Sequence, residues 1–351
     1  MIKSSKSKKY KILFYSAVLI VLLIASVLLW NYIFKSNTKL EGKNFVYIKV
    51  PKNTNYAQFL KIIEESNAVN NISSFDLYAR NIGLDEKIIP GRYRVNAGMS
   101  NRQIAKMFKN GNEEKVELNI NYTTRTKEHL IEKLIGKFNI DKEKLVMFLE
   151  NNELLEKTYG LDQSTITLLV RPKKYLLSWS TDEKDFFDIM KKEYDDFWNE
   201  DRLNKLKKIK MNKEEVMIMA SIIEWESKIE SEQRKIAGVY MNRLSKNIPL
   251  QADPTVIFAL NNFSIRRVSF QDLKFDSPYN TYKYKGLPPG PIGFPADKAI
   301  NSVLNYEPSD WLYFCAKPEL NGYSNFSSNL EQHEAFAREY RESLNRRGIK
   351  R

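Results

Sequence analysis

Apolar residues follow three different rhythms along this chain, and each predicts a different element. From residue 12 to residue 34 they run for 23 positions without a charge. At 1.5 Å per residue that is about 34 Å of helix, enough to cross a bilayer with some tilt. Trp30 and Tyr32 sit where an interfacial aromatic belt would lie. No Ala-x-Ala-like cleavage site follows, so a retained anchor is expected over a removed signal peptide. Residues 1–11 carry Lys3, Lys6, Lys8, Lys9 and Lys11 and no acid. Such a head stays in the cytoplasm and sends everything after Lys35 across the membrane.

Beyond a polar linker (35–43) the rhythm shortens. Phe45–Val50 alternates as a strand, residues 51–55 are turn chemistry, and Tyr56, Phe59, Leu60 and Ile63 recur at helical spacing. A second helix is expected over 74–81. Pro90-Gly91 turns into a strand reaching Val95, and Ser100 caps a helix through Ile104 and Met107 that ends near Gly111. Strand, two helices, strand and helix make a small α+β module over 44–115. Residues 116–210 read as a charged, mostly helical connector, with helices over 127–138, 142–155 and 183–207. From residue 211 the chain is less charged and richer in loops, and the overall class expected is α+β.

The third rhythm is a helical stripe of Val216, Met219, Ile222 and Ile223, with Glu214 and Glu215 in its first turn, where the helix dipole favours acids. Glu226 lies seven positions after Met219 and three after Ile223, so it continues the apolar side, while Glu224 points roughly opposite. A carboxyl flanked by Met and Ile loses solvation of its charged form, and its pKa should rise into the range of a general acid. The plainer alternative is an acid at the end of the stripe, where the chain turns polar through Ser227, Lys228 and Glu230.

Composition narrows the chemistry. The chain has 351 residues, 42% of them apolar, which suffices for more than one core. The five head lysines account for part of the formal net charge of +13, and +8 remains on residues 12–351. A basic exported region could meet anionic lipid or an acidic wall polymer. Nucleic acid is a poor partner for it, and no recognition motif is present. Cys315, the one cysteine, excludes an intramolecular disulfide and reads as core. With only His129 and His333 beside it, no zinc or iron spacing exists, and no glycine-rich phosphate loop occurs. No cofactor and no metal are expected.

Four segments then appear in order: Ile222-Ile223-Glu224-Trp225-Glu226; Leu250-Gln251-Ala252-Asp253-Pro254-Thr255-Val256; Tyr279-Asn280-Thr281-Tyr282; and Gly286-Leu287-Pro288-Pro289-Gly290. Together they resemble the endolytic murein transglycosylases of the YceG-like family, and the resemblance spans nearly the whole chain. It implies a transmembrane helix, a LysM-like α+β module, a connector, and an α+β catalytic domain over 211–351. It implies that Glu226 is the catalytic acid and base for cutting the bond between N-acetylmuramic acid and N-acetylglucosamine within glycan strands. Peptidoglycan is then the substrate and membrane lipid the contact of 12–34, in a bacterial inner membrane. Cell-wall synthases or division proteins are conceivable partners.

Glu224, Gln251, Asp253, Tyr279, Asn280 and Thr281 are the candidate substrate-binding residues. Tyrosine and asparagine suit sugars, since a ring face packs on C–H surfaces and amides bond hydroxyls. Each has a structural alternative: Glu224 as a surface or supporting carboxylate, Asp253 as a helix N-cap before Pro254, and residues 279–282 as a packed turn. Residues 287–292 hold three prolines and one glycine, the makings of a rigid groove wall. The chain departs from the family in the connector, where Val170-Arg171-Pro172-Lys173-Lys174-Tyr175 lacks the usual acid and threonine. Asn121-Tyr122-Thr123-Thr124 replaces Pro-Glu-Gly, and Tyr323 replaces a common His. Two other readings stay open: a true hydrolase drawing its second carboxylate from Glu224 or Asp253, and a catalytically weakened peptidoglycan-binding scaffold.

Overall fold

The computed structural model describes residues 3–348, so the tip of the expected basic head (1–2) and residues 349–351 lie outside it. It is a mixed helix-and-sheet protein in which helices dominate and the strands pair only in twos: β1–β2, β3–β4 and β5–β6. The chain divides into two compact units.

The first unit holds residues 1–117 with two short returns, 137–139 and 176–181. Helix α1 (Lys3–Phe34) contains one span, Lys9–Phe34, long and apolar enough to cross a membrane. Its large apolar side chains from Ile12 to Trp30 are exposed. Then come β1 (Phe45–Val50), α2 (Tyr56–Glu65), α3 (Ile72–Asn81), β2 (Gly91–Asn96) and α4 (Asn101–Lys109). β1 and β2 pair antiparallel, with Tyr47 opposite Arg94. Their inward residues Ile48, Val50, Tyr93 and Val95 bury against Phe59, Phe75, Ile104 and Phe108. Asn55 and Ser100 each close a capping box, with Gln58 and Gln103, so both helix starts follow from local sequence.

The second unit holds 118–136, 140–175 and 182–351. Strand β3 (Val116–Asn119) leads toward α5 (Lys127–Ile135), α6 (Lys142–Glu150), α7 (Asn152–Tyr159), β4 (Lys174–Leu177), α8 (Glu183–Phe197) and α9 (Glu200–Ile209). Two expected helices are each broken in two. Asn151 takes a non-helical conformation and caps α7 by accepting from Leu154 N–H; Asn199 does the same for α9 with Arg202 N–H. A capping asparagine offers the backbone an alternative to continuing the helix, which apolar periodicity does not register. In the departing connector segment, Arg171 Nη1 donates to both carboxylate oxygens of Asp297, at 2.7 and 2.8 Å.

The rest comprises α10 (Lys213–Glu226), α11 (Glu230–Ser245), α12 (Asp253–Ala259), α13 (Asp297–Leu304), β5 (Tyr313–Ala316), β6 (Ser324–Ser327) and α14 (Leu330–Arg346). α10 packs against α11, α12 and α13. Residues 216–223 of α10 are all buried, so the helix is enclosed on every side and not merely along one stripe. Cys315 is only partly buried in β5, on a two-stranded sheet too narrow to cover it fully.

Candidate active site

α10 starts in a capping box, where Asn212 Oδ1 accepts from Glu215 N–H and the Glu215 carboxylate accepts from Asn212 N–H, both at 2.8 Å. It stops where Ser227 turns extended, at φ −148°. Glu226 is therefore the last helical residue and not, as the stripe suggested, inside it. Tertiary neighbours desolvate it nonetheless. α11 carries Tyr240 and Arg243 three residues apart on one face, and the fully buried Tyr240 donates its hydroxyl to Glu226 Oε1 at 2.9 Å.

Burial pushes the Glu226 carboxyl up to about 7; Tyr240's hydrogen bond and Arg243's charge hold it down, and nearby Asp253 raises it further. Burial and the Glu226 charge raise the Tyr240 hydroxyl well above its ordinary value, so it stays a donor. Glu226 keeps a part-exposed surface although protein crowds it from most directions. Its carboxyl is thus neither in bulk solvent nor sealed in the core.

Arg243 organises the neighbouring loop. Its Nη1 donates to Pro249 O at 3.0 Å, Leu250 O at 2.9 Å and Gln251 Oε1 at 3.0 Å, and its Nε donates to Leu312 O at 2.6 Å. Gln251 sits at φ +53°, a left-handed conformation a non-glycine residue rarely keeps without external support. Next to it, Asp253 does not cap α12. Ala252 holds the cap position without a side-chain bond, and the Asp253 carboxylate instead accepts the Tyr282 hydroxyl at 2.6 Å. Capping fails because Asp253 is already helical, with Pro254 after it, and its side chain turns into the cleft. Crowding and burial raise its carboxyl, an effect solvent screening reduces, since Asp253 has an exposed surface.

Two expected sugar contacts belong to the scaffold. Asn280 has no exposed surface; its Nδ2 donates to Leu273 O and Phe275 O at 3.0 and 2.7 Å, and its Oδ1 accepts from Tyr282 N–H at 3.0 Å. Thr281 is equally buried, its Oγ1 accepting from Ala252 N–H at 3.0 Å and meeting Thr255 Oγ1 at 2.8 Å. Both amide and hydroxyl are saturated within the turn, so neither is free for a ligand. Together they set the turn that aims Tyr282 at Asp253. Glu224 accepts from Ala296 N–H at 2.7 Å, bracing the start of α13. Tyr279 is partly exposed and stacks obliquely on Phe258.

The proline-rich segment 287–292 forms no regular element. It is tied to α10 where Ile292 N–H donates to Ser221 Oγ at 3.0 Å. A Cβ on Gly290 would stand 2.4 Å from Ser164 O, so only glycine permits that approach.

With this geometry in place, comparison with known proteins decides the relationship. The YceG-like family matches residues 48–339, most of the chain. The chain belongs to the YceG-like family. It is 41% identical over 142 residues to the endolytic murein transglycosylase of Bacillus subtilis (strain 168), covering 40% of this chain and 39% of that protein. It is 37% identical over 124 residues to that of Streptococcus pneumoniae serotype 2 (strain D39), covering 34% of this chain and 22% of that protein. The chain thus spans less than two fifths of the length of the curated relatives it matches. A solved structure of a YceG-like protein from Listeria monocytogenes covers 84% of this chain and 99% of its own, with 28% identity and a TM-score of 0.54.

Around Glu226 this YceG-like protein places Tyr240 and Arg243, to which the sequence had assigned no role, together with Tyr282 from the quoted 279–282 motif. The signal for the first two was the three-residue spacing within Val239-Tyr240-Met241-Asn242-Arg243-Leu244, which puts both on one helical face. Tyr240→Phe removes the hydrogen bond that favours the ionised carboxylate and leaves the carboxyl drier. The Glu226 pKa therefore rises above about 7. A step that needs the protonated acid then loses rate at a higher pH, so the alkaline limb of the pH–rate profile shifts upward. A limb that stays put or moves down contradicts this assignment.

Proposed function

We propose that this protein is a membrane-anchored endolytic lytic transglycosylase acting on peptidoglycan. The observation that carries the reading is Glu226: a part-exposed carboxyl, donated to by a buried tyrosine and pushed to about 7, where both protonation states are populated near neutrality. The family relationship agrees with it.

In the mechanism we assign, protonated Glu226 gives its proton to the oxygen bridging N-acetylmuramic acid and N-acetylglucosamine as the C1–O4 bond breaks. The muramyl C6 hydroxyl oxygen bonds to C1, and the Glu226 carboxylate takes the hydroxyl proton. The product is a 1,6-anhydromuramyl end, and the enzyme is a carbon–oxygen lyase. The nucleophile is part of the substrate, so its effective concentration is high and no activated water is needed. Asp253, held by Tyr282, places negative charge near the oxocarbenium-like centre. Gln251 and the partly exposed Tyr279 are the remaining candidates for holding hydroxyl or N-acetyl groups.

The proposed arrangement is a cytoplasmic head (1–11), one span (12–34), a LysM-like module (44–115) that binds glycan weakly, a connector (116–210) and the catalytic domain (211–351). The site then lies on the wall side of a bacterial cytoplasmic membrane, where it meets newly made strands beside their synthases.

The nearness of Asp253 to Glu226 gives one competing reading, a hydrolase with Asp253 as its second carboxylate. Mass spectrometry of products from purified sacculi separates the two: anhydromuramyl ends support the transglycosylase, reducing ends the hydrolase. Intact sacculi overturn both.

A further inference from the structure

One cation near the proposed cleft has no anion. Arg125 immediately precedes Thr126, the N-cap of α5, and its backbone N–H donates to His129 Nδ1 at 3.3 Å. Its guanidinium lies 3.8 Å from the Trp225 ring centroid and 4.9 Å from that of Phe263. Among the described residues it forms no ion pair. A second cation covers the same indole: Lys228 Nζ stands 4.7 Å from the Trp225 centroid, bonded only to the Glu224 backbone carbonyl at 2.8 Å. The α10 C-terminus explains Lys228, since helix carbonyl ends favour cations. It does not explain Arg125.

The acids nearby do not neutralise Arg125. The Glu224 carboxylate is spent on Ala296 N–H. Glu128 lines the same cavity without pairing with Arg125. Burial lowers the pKa of both Arg125 and Lys228; the Glu224 charge raises Lys228 and the Arg125 charge lowers it further.

Two cavities open on this guanidinium. One of about 270 Å³ runs past Gln163, Ser164 and Tyr279; another of about 150 Å³ runs past Trp225, Pro254 and Phe263. Both share Phe258 with Arg125. The second also shares Ile265 with a broader cleft of about 980 Å³ that contains Asp253, the carboxylate close enough to raise Glu226. Arg125 therefore lines cavities that adjoin, through Ile265, the cleft containing Asp253. Planar, partly desolvated and stacked, it is suited to carboxylate recognition in the way lysine is not.

We infer that Arg125, seated on Trp225, is a subsite for a carboxylate on the muramyl side chain of the glycan. This rests on peptidoglycan being the substrate. The carboxylate is either that of a stem peptide or the free lactyl group left when the peptide is removed. Arg125 then selects strands carrying that charge and anchors them beside Glu226.

The test measures binding apart from turnover. Full-length Glu226→Gln protein, with and without Arg125→Gln, is titrated with three soluble strand preparations, following intrinsic tryptophan fluorescence and calorimetry. The strands are peptide-bearing, amidase-stripped with free lactyl carboxylates, and fully amidated with no carboxylate. Arg125→Gln should raise Kd about tenfold on one or both charged preparations and leave amidated strands unchanged. The preparation affected identifies the carboxylate. An equal loss on amidated strands, or no loss on any, overturns the subsite. Arg125→Lys should recover only part of the affinity, because one point charge replaces a fork. Anhydro products from the wild type, measured separately, test the transglycosylase reading, so either idea can fail without the other.

Discussion

Glu226→Gln is expected to abolish glycan cleavage, by about a thousandfold or more, while leaving folding and strand binding intact. The size of the effect follows from one carboxyl serving both proton transfers; an amide can neither donate at the leaving oxygen nor accept from the C6 hydroxyl. The substitution keeps the acceptor for Tyr240, so the 2.9 Å contact has a partner and the helix end does not reorganise.

The same variant should gain stability with a defined pH dependence. A carboxyl held near 7 in the folded state against about 4.5 unfolded binds more protons folded than unfolded. It costs nothing below pH 4.5, destabilises progressively between 4.5 and 7, and exerts its full penalty above 7. Replacing it removes that penalty: about 2 kcal/mol at pH 8, discounted for its part-exposed surface, and close to none at pH 4. Anhydromuropeptide release by mass spectrometry and thermal melts at the two pH values check both halves. Undiminished release, or a stability difference that is largest in acid, would contradict the assignment.

Arg243→Lys is the second large effect, and it should damage fold and activity together. Four acceptors from two segments converge on one buried guanidinium: Pro249, Leu250 and Gln251 from one, Leu312 from the other. A lysine ammonium cannot fan across them, and two or more buried acceptors lose their donor, at a total of about 3 kcal/mol. The loop carrying Gln251 in its left-handed conformation and Asp253 at the cleft then loses its tether. Turnover should fall about a hundredfold, through displaced groups and not through lost chemistry. Chemical denaturation and kinetics read the two losses. A variant with near-native melting and near-native turnover would show that the loop is held elsewhere.

Much of this protein was legible one segment at a time. The apolar span, β1, β2, α4 and the start of α10 were readable because each depends on local periodicity and on signals such as the Ser100 cap and the first-turn acids Glu214 and Glu215. The breaks at Asn151 and Asn199 were missed because apolar spacing continues through them, and only a side-chain bond to a backbone N–H three residues on ends one helix and begins the next. Glu226 was selected for a reason the coordinates revise. Its face of α10 mattered less than the residues brought to it.

Sequence alone therefore determined most of the elements and the family, and singled out Glu226 as the candidate acid, because helical spacing, capping and ordered motifs act over a few residues. Tertiary structure decided what surrounds that acid: Tyr240 fourteen residues away, Asp253 turned from cap to cleft by Tyr282, Asn280 and Thr281 absorbed into the turn, and Arg125 laid across Trp225. Desolvation and hydrogen bonding depend on which distant segments meet. Neither can be read from the spacing of residues along one helix.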